Sequence, residues 1–378
     1  MFGKTYFAGV FGGISGEVKN LGILDIKIAG KEDHCSKIIA GGLVGVIVGD
    51  GKVTNCFTKG EIRGVESAGG VVGVMGDEGK NSLIDSYSTV TISGSERVGG
   101  VVGGVLGKGI VSNCYSTGVI SGGNNVGGVV GEAGGGTRVI NSYFSGTINA
   151  GGSGRGNVGG VVGSASCDSV KRCYFSGTIN ANTLDNVGGI VGDVGGSLKI
   201  SNCYSAGTIK GNNFVGGIAG KTDDYPRLSL KNSYSVSVVN GNNNVGGIIG
   251  YVSSRKAMAV EGCAALNPSV LARATSDVWV GRVASNYGDK MAKDIWGETK
   301  GPVLSNNVAI AKMTVKRNTV DKVFTKGQDE FDGADITIEQ LCADGTIGGR
   351  FTADNGWVTE DGKLPGFGAA LNLPAHLK

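Results

Sequence analysis

Residues 98–122 read VGGVVGGVLGKGIVSNCYSTGVISG, and near copies of this stretch recur along most of the chain. Two blocks alternate within it, a glycine-rich block (VGGVVG) and a polar block (NCYSTG). The polar block places an amide, a thiol and an aromatic ring side by side. The polar block is therefore either a catalytic cluster that recurs along the chain or a structural unit of the repeat. Copies of the glycine-rich block lie at 40–45, 68–73, 126–131, 158–163, 187–192, 215–220 and 245–250, and copies of the polar block at 55–60, 141–146 and 202–207.

Aligned copies produce two columns of apolar residues. Members of the first column are 28 to 31 residues apart between Val53 and Val260, and the second column follows nine residues after the first. Polar or mixed positions lie between the columns, as the two-residue period of β-strands requires. The first column is Val18, Val53, Leu83, Val111, Val139, Val170, Ile200, Leu230, Val260 and Leu304, and the second is Ile62, Ile92, Ile120, Ile148, Ile179, Ile209 and Val239.

A repeat of this length, with short strands, Gly or Asn turns and no helical periodicity, predicts an all-β fold. We expect a parallel β-helix (β-solenoid) in which each copy is one coil. Coils stack at roughly 4.8 Å, so about ten coils make a rod roughly 50 Å long. Parallel crossovers strongly favour right-handed winding, which we therefore expect. Glycine pairs such as Gly99-Gly100 permit close backbone approach or a positive φ. Left-handed turns and side-chain ladders between coils are expected at Asn125, Asn157, Asn186 and Asn244.

The alternation of VGGVVG with SNCYSTGVISG resembles the GLUG motif of bacterial cell-surface proteins, a repeat also found in some immunoglobulin A peptidases. The resemblance covers residues 7–316 in eight near-intact copies, and the segments at 262–270, 304–315 and 356–367 resemble the closing region of such proteins from Bacteroides-type bacteria. It implies an extracellular or surface-anchored repeat protein with a role in adhesion or glycan handling. It supplies no catalytic residue, because the zinc motif of the peptidases, His-Glu-x-x-His, belongs to a separate domain and does not occur in this sequence.

Charge and hydropathy limit the partners. The 35 Lys and Arg against 32 Asp and Glu leave a net charge of +3, which gives no broad attraction for nucleic acid or an anionic membrane. No apolar run approaches the length of a spanning helix, and the N-terminal MFGKTYFAGVFGG lacks the apolar core of a signal peptide. Composition alone is compatible with a cytoplasmic protein. The resemblance instead implies an extracellular or cell-surface location, with no leader in this chain.

Two classes of polar residue are weak candidates for chemistry. Only His34 and His376 are present, neither with a motif partner, so we expect no metal site, no imidazole-based triad and no cofactor. Acids in the turns after the glycine-rich blocks would suit paired-acid glycoside hydrolysis if neighbouring coils brought two together. Basic residues are interspersed among them, so we expect a solvated mixed-charge face. These acids are Asp77, Glu78, Glu132, Asp168, Asp193, Asp223 and Asp224.

Five of the eight cysteines share one repeat position, which serine fills in other copies. A position that accepts Cys or Ser needs a small side chain and does not demand a thiol. No base accompanies the column, so we expect buried free thiols and at most one disulfide. Cys173–Cys203 is the only in-column pair in adjacent coils. The column is Cys56, Ser86, Cys114, Ser142, Cys173, Cys203, Ser233 and Cys263.

The aromatic column beside the thiols is the candidate ligand-binding site. If the strand runs unbroken from the valine column, the rings point inward. If Asn113 and its equivalents take a turn conformation, the parity flips, the cysteines point inward and the rings face outward. Structural stacking and a ligand surface are both open, and we expect an outward ladder to form a flat stacking platform for sugar rings or a partner protein. The column is Phe57, Tyr87, Tyr115, Tyr143, Tyr174, Tyr204 and Tyr234.

The chain divides into a solenoid over residues 1–316 and a capping region over 317–378. The last coil of the solenoid departs from the repeat sequence and is preceded by an insertion near 285–302. In the second region we expect a short helix within 335–344, and Phe351, Trp357 and Leu364 are expected to plug the open core. The N-terminal end has no comparable cap, from which we expect natural chain before Met1.

Three functional hypotheses follow. The first is a non-enzymatic extracellular or cell-surface adhesin or display scaffold, whose partner is a host or bacterial surface glycan or protein. The alternative is a glycan-binding module that uses an exposed tyrosine ladder. A glycan hydrolase or lyase that uses the turn carboxylates is the third.

Overall fold

The computed structural model describes residues 4–30, 36–152, 154–222, 228–252, 258–275, 278–285 and 302–378. It is a parallel β-solenoid of about ten coils, as the columns predict. Each coil adds one strand to each of several parallel stacks, and the strand of one coil pairs in register with its equivalent in the next. Among the described residues, no helix has the length and apolar character needed to cross a bilayer.

Three stacks, which we call sheets 1, 2 and 3, follow one another around the coil. Sheet 1 consists of Lys4–Ala8, Ser36–Gly41, Ser67–Gly69, Arg97–Gly99, Asn125–Gly127, Val158–Gly159, Val187–Gly188, Asn213–Gly216, Asn243–Gly246 and Val280–Gly281. Sheet 2 consists of Phe11–Ile14, Val44–Ile47, Val72–Met75, Val102–Val105, Val130–Ala133, Val162–Ala165, Val191–Val194, Ala219–Thr222 and Ile249–Tyr251. Sheet 3 consists of Glu17–Lys19, Lys52–Thr54, Ser82–Ile84, Ile110–Ser112, Arg138–Ile140, Ser169–Lys171, Lys199–Ser201, Ser229–Lys231, Ala259–Glu261 and Val303–Ser305.

The rest of each coil forms two ladders of short strands, joined through the long strands Gly22–Ala29 and Phe57–Val65. The tyrosine ladder continues with Tyr87–Ser88, Tyr115–Ser116, Tyr143–Phe144, Tyr174–Phe175, Tyr204–Ser205, Tyr234–Ser235, Ala264–Ala265, Val308–Ile310 and Ala334–Ile336. The isoleucine ladder continues with Thr91–Gly94, Val119–Gly122, Thr147–Ala150, Thr178–Ala181, Thr208–Gly211, Val238–Gly241, Ser269–Ala272 and Thr314–Arg317, with Val320–Asp321 added antiparallel.

The two apolar columns line the interior of the rod. Val139 lies in sheet 3 and Ile148 in the isoleucine ladder of the same coil, and both are fully buried. Each pairs with its column neighbours above and below, so identical apolar side chains stack along the axis. The prediction that both columns point inward is confirmed, and burial of these stacks is the main source of the rod's stability. The right-handed winding stays a prediction.

The glycine pair makes a corner between sheets 1 and 2. A Cβ on Gly100 would overlap the carbonyl oxygen of Gly128 in the next coil and would lie 2.7 Å from the inward Cβ of Ser116. Neither Gly99 nor Gly100 has a positive φ. Of the two reasons that the sequence allowed for this pair, close backbone approach is therefore the one that applies.

Asparagine ladders join coils at the exposed corners. The Nδ2 of Asn157 donates to Oδ1 of Asn125 at 2.8 Å, and the Nδ2 of Asn186 donates to Oδ1 of Asn157 at 2.8 Å. Positive φ occurs at Asn186 and Asn244. The prediction is thus confirmed in part: Asn125 and Asn157 belong to the side-chain ladder without a left-handed backbone, Asn244 has the left-handed backbone, and Asn186 has both.

A partial layer follows the last coil of the array, and the C-terminal cap stays a prediction. Its strand Ala334–Ile336 pairs in parallel with Val308–Ile310, and the carbonyl of Phe331 accepts hydrogen bonds from the amides of Val283 and Ala284. The fully buried Arg282 fixes this layer. Its guanidinium donates to the carbonyls of Asp332 at 2.8 Å and Gly333 at 2.7 Å, and it forms an ion pair with Asp335 at 2.5 Å.

The chain then continues through a helix, Ile338–Cys342, two 3-10 turns, Ala353–Asn355 and Ala375–Leu377, and the antiparallel pair Lys363–Leu364 and Leu371–Asn372. The helix confirms the prediction for 335–344. Thr337 caps it, since its hydroxyl accepts from the Gln340 amide while the Gln340 side chain accepts from the Thr337 amide. The boundary between 316 and 317 stays a prediction. Most of the predicted insertion near 285–302, residues 286–301, lies outside the described residues.

Candidate functional site

The rings of the tyrosine ladder face outward. Asn113 has a φ of 55°, and this left-handed turn separates sheet 3 from the ladder strand. Consequently Cys114 and Ser116 point into the core, each fully buried, while Tyr115 between them is half-buried. The equivalent turn residues Asn55, Asp85, Asn141, Arg172, Asn202 and Asn232 also have positive φ, so the same parity holds along the rod. The structure selects the outward alternative of the two that the sequence left open.

Seven rings form one continuous stack. Successive centroids from Phe57 to Tyr234 are 4.5–5.2 Å apart, and neighbouring ring planes differ by 1–7°. The spacing is that of the coils, because each ring is carried by one coil. Each inner ring therefore has both faces covered by its neighbours. The ladder offers solvent a row of ring edges and phenol hydroxyls, and not the flat platform of ring faces that we expected.

Burial increases along the ladder. The rings from Phe57 to Tyr174 are half-buried, whereas Tyr204 is 5% exposed and Tyr234 is 0% exposed. Desolvation raises the pKa of the Tyr115 phenol, and it raises the pKa of Tyr174 to about 12. Desolvation raises the pKa of Tyr204 and Tyr234 further, with the preceding phenol as a secondary cause in each. We call the rings of Phe57, Tyr87, Tyr115 and Tyr143 the open half of the ladder. The rings of Tyr204 and Tyr234 are the covered half, and Tyr174 lies at the boundary between them.

The cover is a segment from the C-terminal region, residues 350–367, which we call the strap. Its Trp357 ring lies 5.7 Å from Tyr234 and 6.3 Å from Tyr204, tilted by 41° and 46°. Phe351 meets Tyr234 edge-on, with centroids 5.4 Å apart and planes at 87°. Phe367 lies 5.6 Å from Tyr204 and stacks on Trp357 at 4.5 Å. These tilted contacts place the strap rings against ring edges of the ladder.

The ring contacts correct one expectation. Phe351 and Trp357 were expected to plug the open core at the end of the rod. They are buried, but they contact outward-facing tyrosines on the flank of the coils that carry Tyr204 and Tyr234. Leu364 is likewise buried.

Hydrogen bonds join the strap to the ladder and to the turn column beside it. The Tyr234 hydroxyl donates to the carbonyl oxygen of Pro365 at 2.5 Å. The Nδ2 of Asn202 donates to the carbonyl of Asn355 at 3.1 Å. Near the end of the rod, Arg350 donates to the side-chain oxygen of Asn306 at 2.6 Å. In the first two bonds the solenoid supplies donors to main-chain carbonyls of the strap, and in the third the strap is the donor.

Arg172, in the coil that carries Tyr174, contacts the strap at the boundary between the two halves. It occupies the turn column in which most copies have Asn, and its φ of 54° is unfavourable for a long side chain. Its guanidinium donates to the carbonyl of Gly356 at 3.5 Å and lies 5.8 Å from the Phe367 ring centroid. Its replacement of Asn by a long cationic side chain was a signal of a contact outside the array, and sequence reasoning missed it.

Glu132 and Asp193, the two candidate acids that lie within described strands of sheet 2, are not in neighbouring coils. In sheet 2, Glu132 lies in register between Gly104 and Ser164, and Asp193 follows one coil after Ser164. Glu132 accepts from Asn125 Nδ2 at 3.2 Å and lies 3.8 Å from Arg97. These contacts fit the mixed-charge face that we expected. Asp223 and Asp224 lie outside the described residues.

Thiols line the core beneath the ladder. The Cys114 Sγ contacts the Ser112 carbonyl, and its amide donates to the Ser142 hydroxyl of the next coil at 3.1 Å, so the serines in this column accept from the backbone. Burial raises the pKa of Cys114 to about 12. The described thiols, including Cys173 and Cys203, are free. This agrees with the expected buried free thiols, and a protonated thiol is a poor nucleophile.

Of the two histidines, the structure describes one. His376 contacts the carbonyl of Leu266 at 2.8 Å, whereas His34 lies outside the described residues. Over the described ranges, no group of His, Cys, Asp and Glu side chains has the arrangement of a metal site.

Comparison with known proteins identifies the repeat. The family model for the GLUG motif matches residues 94–121 and 122–149, two consecutive repeats in the middle of the array. No curated protein and no solved structure matches the chain.

Proposed function

Because this chain is a GLUG-motif repeat protein folded as a parallel β-solenoid, we propose that it is a non-enzymatic adhesin or display scaffold. The proposed location is extracellular or on a cell surface, and the proposed partner is a surface glycan or protein of a host or bacterium. Mutually stacked coils make an elongated, stiff body that suits the presentation of a long side surface.

One observation carries this proposal: the open half of the tyrosine ladder. Four aromatic rings, Phe57, Tyr87, Tyr115 and Tyr143, are half-buried and aligned along the rod axis at the coil spacing. Aromatic side chains are enriched at binding surfaces because they supply a large contact area at a low cost in conformational entropy. A row of them in fixed register would bind a partner without first having to be ordered.

A retention assay tests the adhesive role. Beads coated with the full chain are expected to be retained on epithelial cell monolayers. Beads coated with the Tyr87→Ala/Tyr115→Ala/Tyr143→Ala variant should be washed away. Lys52→Ala is the matched control, because this exposed side chain lies in sheet 3 of a coil that also carries a ladder ring. Equal retention of all three proteins, each shown by circular dichroism to be folded, would contradict the proposal.

Glycan binding is the second candidate, and the phenol hydroxyls favour it. The rings that carry them are 4.7–4.8 Å apart between centroids from Tyr87 to Tyr143, and each hydroxyl can donate or accept a hydrogen bond, as sugar hydroxyls require. A glycan array probed with the full chain tests this candidate. Binding that is lost in the triple alanine variant would support it, and an array without a binder would count against it.

A further inference from the structure

The covered half of the ladder is occupied by a segment of the same chain, and this contact indicates the kind of ligand that the ladder can bind. Its occupant, the strap, is a polypeptide with three aromatic side chains packed against the ring edges of the covered half and against one another. A phenol and a turn asparagine each donate to a main-chain carbonyl of the strap. The recognition chemistry is therefore aromatic contact with ring edges combined with carbonyl capture, and it buries both ladder rings almost completely.

The open half repeats the same groups. Tyr87, Tyr115 and Tyr143 occupy the column of Tyr204 and Tyr234, in continuous register through Tyr174. Asn113 and Asn141 occupy the turn column of Asn202 with the same left-handed backbone. Since a solenoid is a one-dimensional lattice, a segment complementary to two neighbouring coils meets the same chemistry one or more coils away.

We propose that the open half is a docking surface for an aromatic polypeptide segment of a partner protein, of the type that the strap represents. The partner segment would place Trp or Phe side chains against the edges of Tyr87, Tyr115 and Tyr143 and present main-chain carbonyls to the phenols and the turn asparagines. This inference rests on the proposed function, because it specifies the partner class for the same surface.

The margin of the open half agrees with such a partner. The outward position two residues after each tyrosine of the open half is exposed and uncharged (Thr89, Thr117 and Ser145). Charges lie at the Phe57 end, where the exposed Lys59 follows Phe57 and the exposed Asp85 precedes Tyr87. Beside Tyr115 and Tyr143 both margins are uncharged, so this part of the ladder gives no electrostatic selection for an acidic or basic ligand.

The phenol hydroxyls and the turn asparagine amides are the polar groups offered, and both can donate to carbonyl oxygens. The Nδ2 of Asn113 already donates to Oδ1 of Asp85 at 2.8 Å, and that of Asn141 to Oδ1 of Asn113 at 3.1 Å, so each amide has its second hydrogen left for a partner. Aromatic anchors therefore supply the affinity, and carbonyl capture fixes the position along the rod.

A peptide with the sequence of residues 347–368 is the probe. Labelled with fluorescein and titrated with the full chain, it is expected to show saturable binding by anisotropy. Replacing the residues equivalent to Phe351, Trp357 and Phe367 in the peptide with Ala should abolish binding. Tyr115→Ala/Tyr143→Ala in the chain should weaken it by about tenfold or more, as removal of central aromatic contacts does. Lys52→Ala should leave it unchanged.

Two further arms keep the test decisive. If the alanine variant does not fold, Tyr115→Phe/Tyr143→Phe retains the stacked rings and removes only the donors, and it should still weaken binding measurably. No saturable binding, or equal binding to the parent and both tyrosine variants, would overturn the proposal. Displacement of the peptide by cellohexaose at lower concentrations than by unlabelled peptide would overturn the polypeptide assignment. That last outcome would leave the ladder as the binding surface and the proposed function intact.

Discussion

Tyr115 and Tyr234 occupy the same position of the repeat, yet one is half-buried and the other fully buried. Their local structure is the same: a left-handed turn residue two positions earlier, an inward Cys or Ser, and a parallel ring in the coil before. The difference comes from the strap, which lies more than a hundred residues later in the chain and covers only one of them. The repeat thus fixes where each ring lies, and non-repeated sequence decides which rings remain available.

The largest loss of folding stability is expected from a substitution in the core of the rod, where coils of the open and covered halves have the same inward apolar columns. Val139→Asp buries a charge without a partner between two coils and should cost several kcal/mol. Thr147→Asp, in the partly exposed column of the same coil that already holds Glu61, should cost under about 1 kcal/mol. Because each coil contacts only its neighbours, Val139→Asp should also split thermal unfolding into two cooperative steps. Equal losses of melting temperature would mean that inside and outside are wrongly assigned.

Removing the cover should convert the covered half into an open one. Trp357→Ala deletes the ring that contacts both Tyr204 and Tyr234 and should cost about 3 kcal/mol of strap stability. Trp357→Phe is the control, because the indole Nε1 donates to no group among the described residues. We expect faster hydrogen exchange over 350–367 in the alanine variant, with the solenoid coils unchanged. Exchange that rises equally in both would show that the strap is part of the solenoid's own cooperative unit.

Alkaline pH should destabilise the folded protein through the buried phenols. Burial raises the pKa of Tyr174 to about 12 and that of Tyr234 further, so the folded state holds these protons when the unfolded state releases them. Their contribution to stability is fully present below pH about 10, the unfolded value, and is lost as pH rises through the folded pKa values. Chemical denaturation between pH 9 and 12 should show this loss. Tyr234→Phe should show a smaller one, and an identical pH dependence would contradict the assigned burial.

The smallest change in global stability is expected at the boundary between the open and covered halves. Arg172→Asn removes the contacts with Gly356 and Phe367, but it restores the residue type that suits a φ of 54°. The two changes oppose each other, so global stability should shift by less than about 1 kcal/mol. Local opening at Gly356 should nevertheless increase in hydrogen exchange. A large global loss would mean that Arg172 supports the coil itself.

How far the sequence predicts this molecule depends on the range of the interaction. The solenoid, its inward columns and the short helix at Ile338–Cys342 follow from local periodicity and capping, which the sequence displays directly. The parity of the tyrosine ladder was undecided because Asn113 suits both extended and left-handed backbone, and the small Cys/Ser column was the available signal for an inward thiol. That the rings present their edges to solvent was evident only from the orientation of the ring planes in the structure. The strap contacts were not predictable, because Trp357 and Tyr204 are far apart in the sequence and the strap is not part of the repeat. Arg172, which replaces Asn in the turn column, was an indication of them.

Tyrosine modification tests the division of the ladder most directly. The full chain would be treated briefly with tetranitromethane at pH 8, and nitration at each ladder tyrosine would be followed by peptide mass spectrometry. We expect Tyr87, Tyr115 and Tyr143 to react first, Tyr174 more slowly, and Tyr204 and Tyr234 not to react until the protein unfolds. Nitration of Tyr204 and Tyr234 in the native protein at the rate of Tyr115 would contradict the division into an open and a covered half.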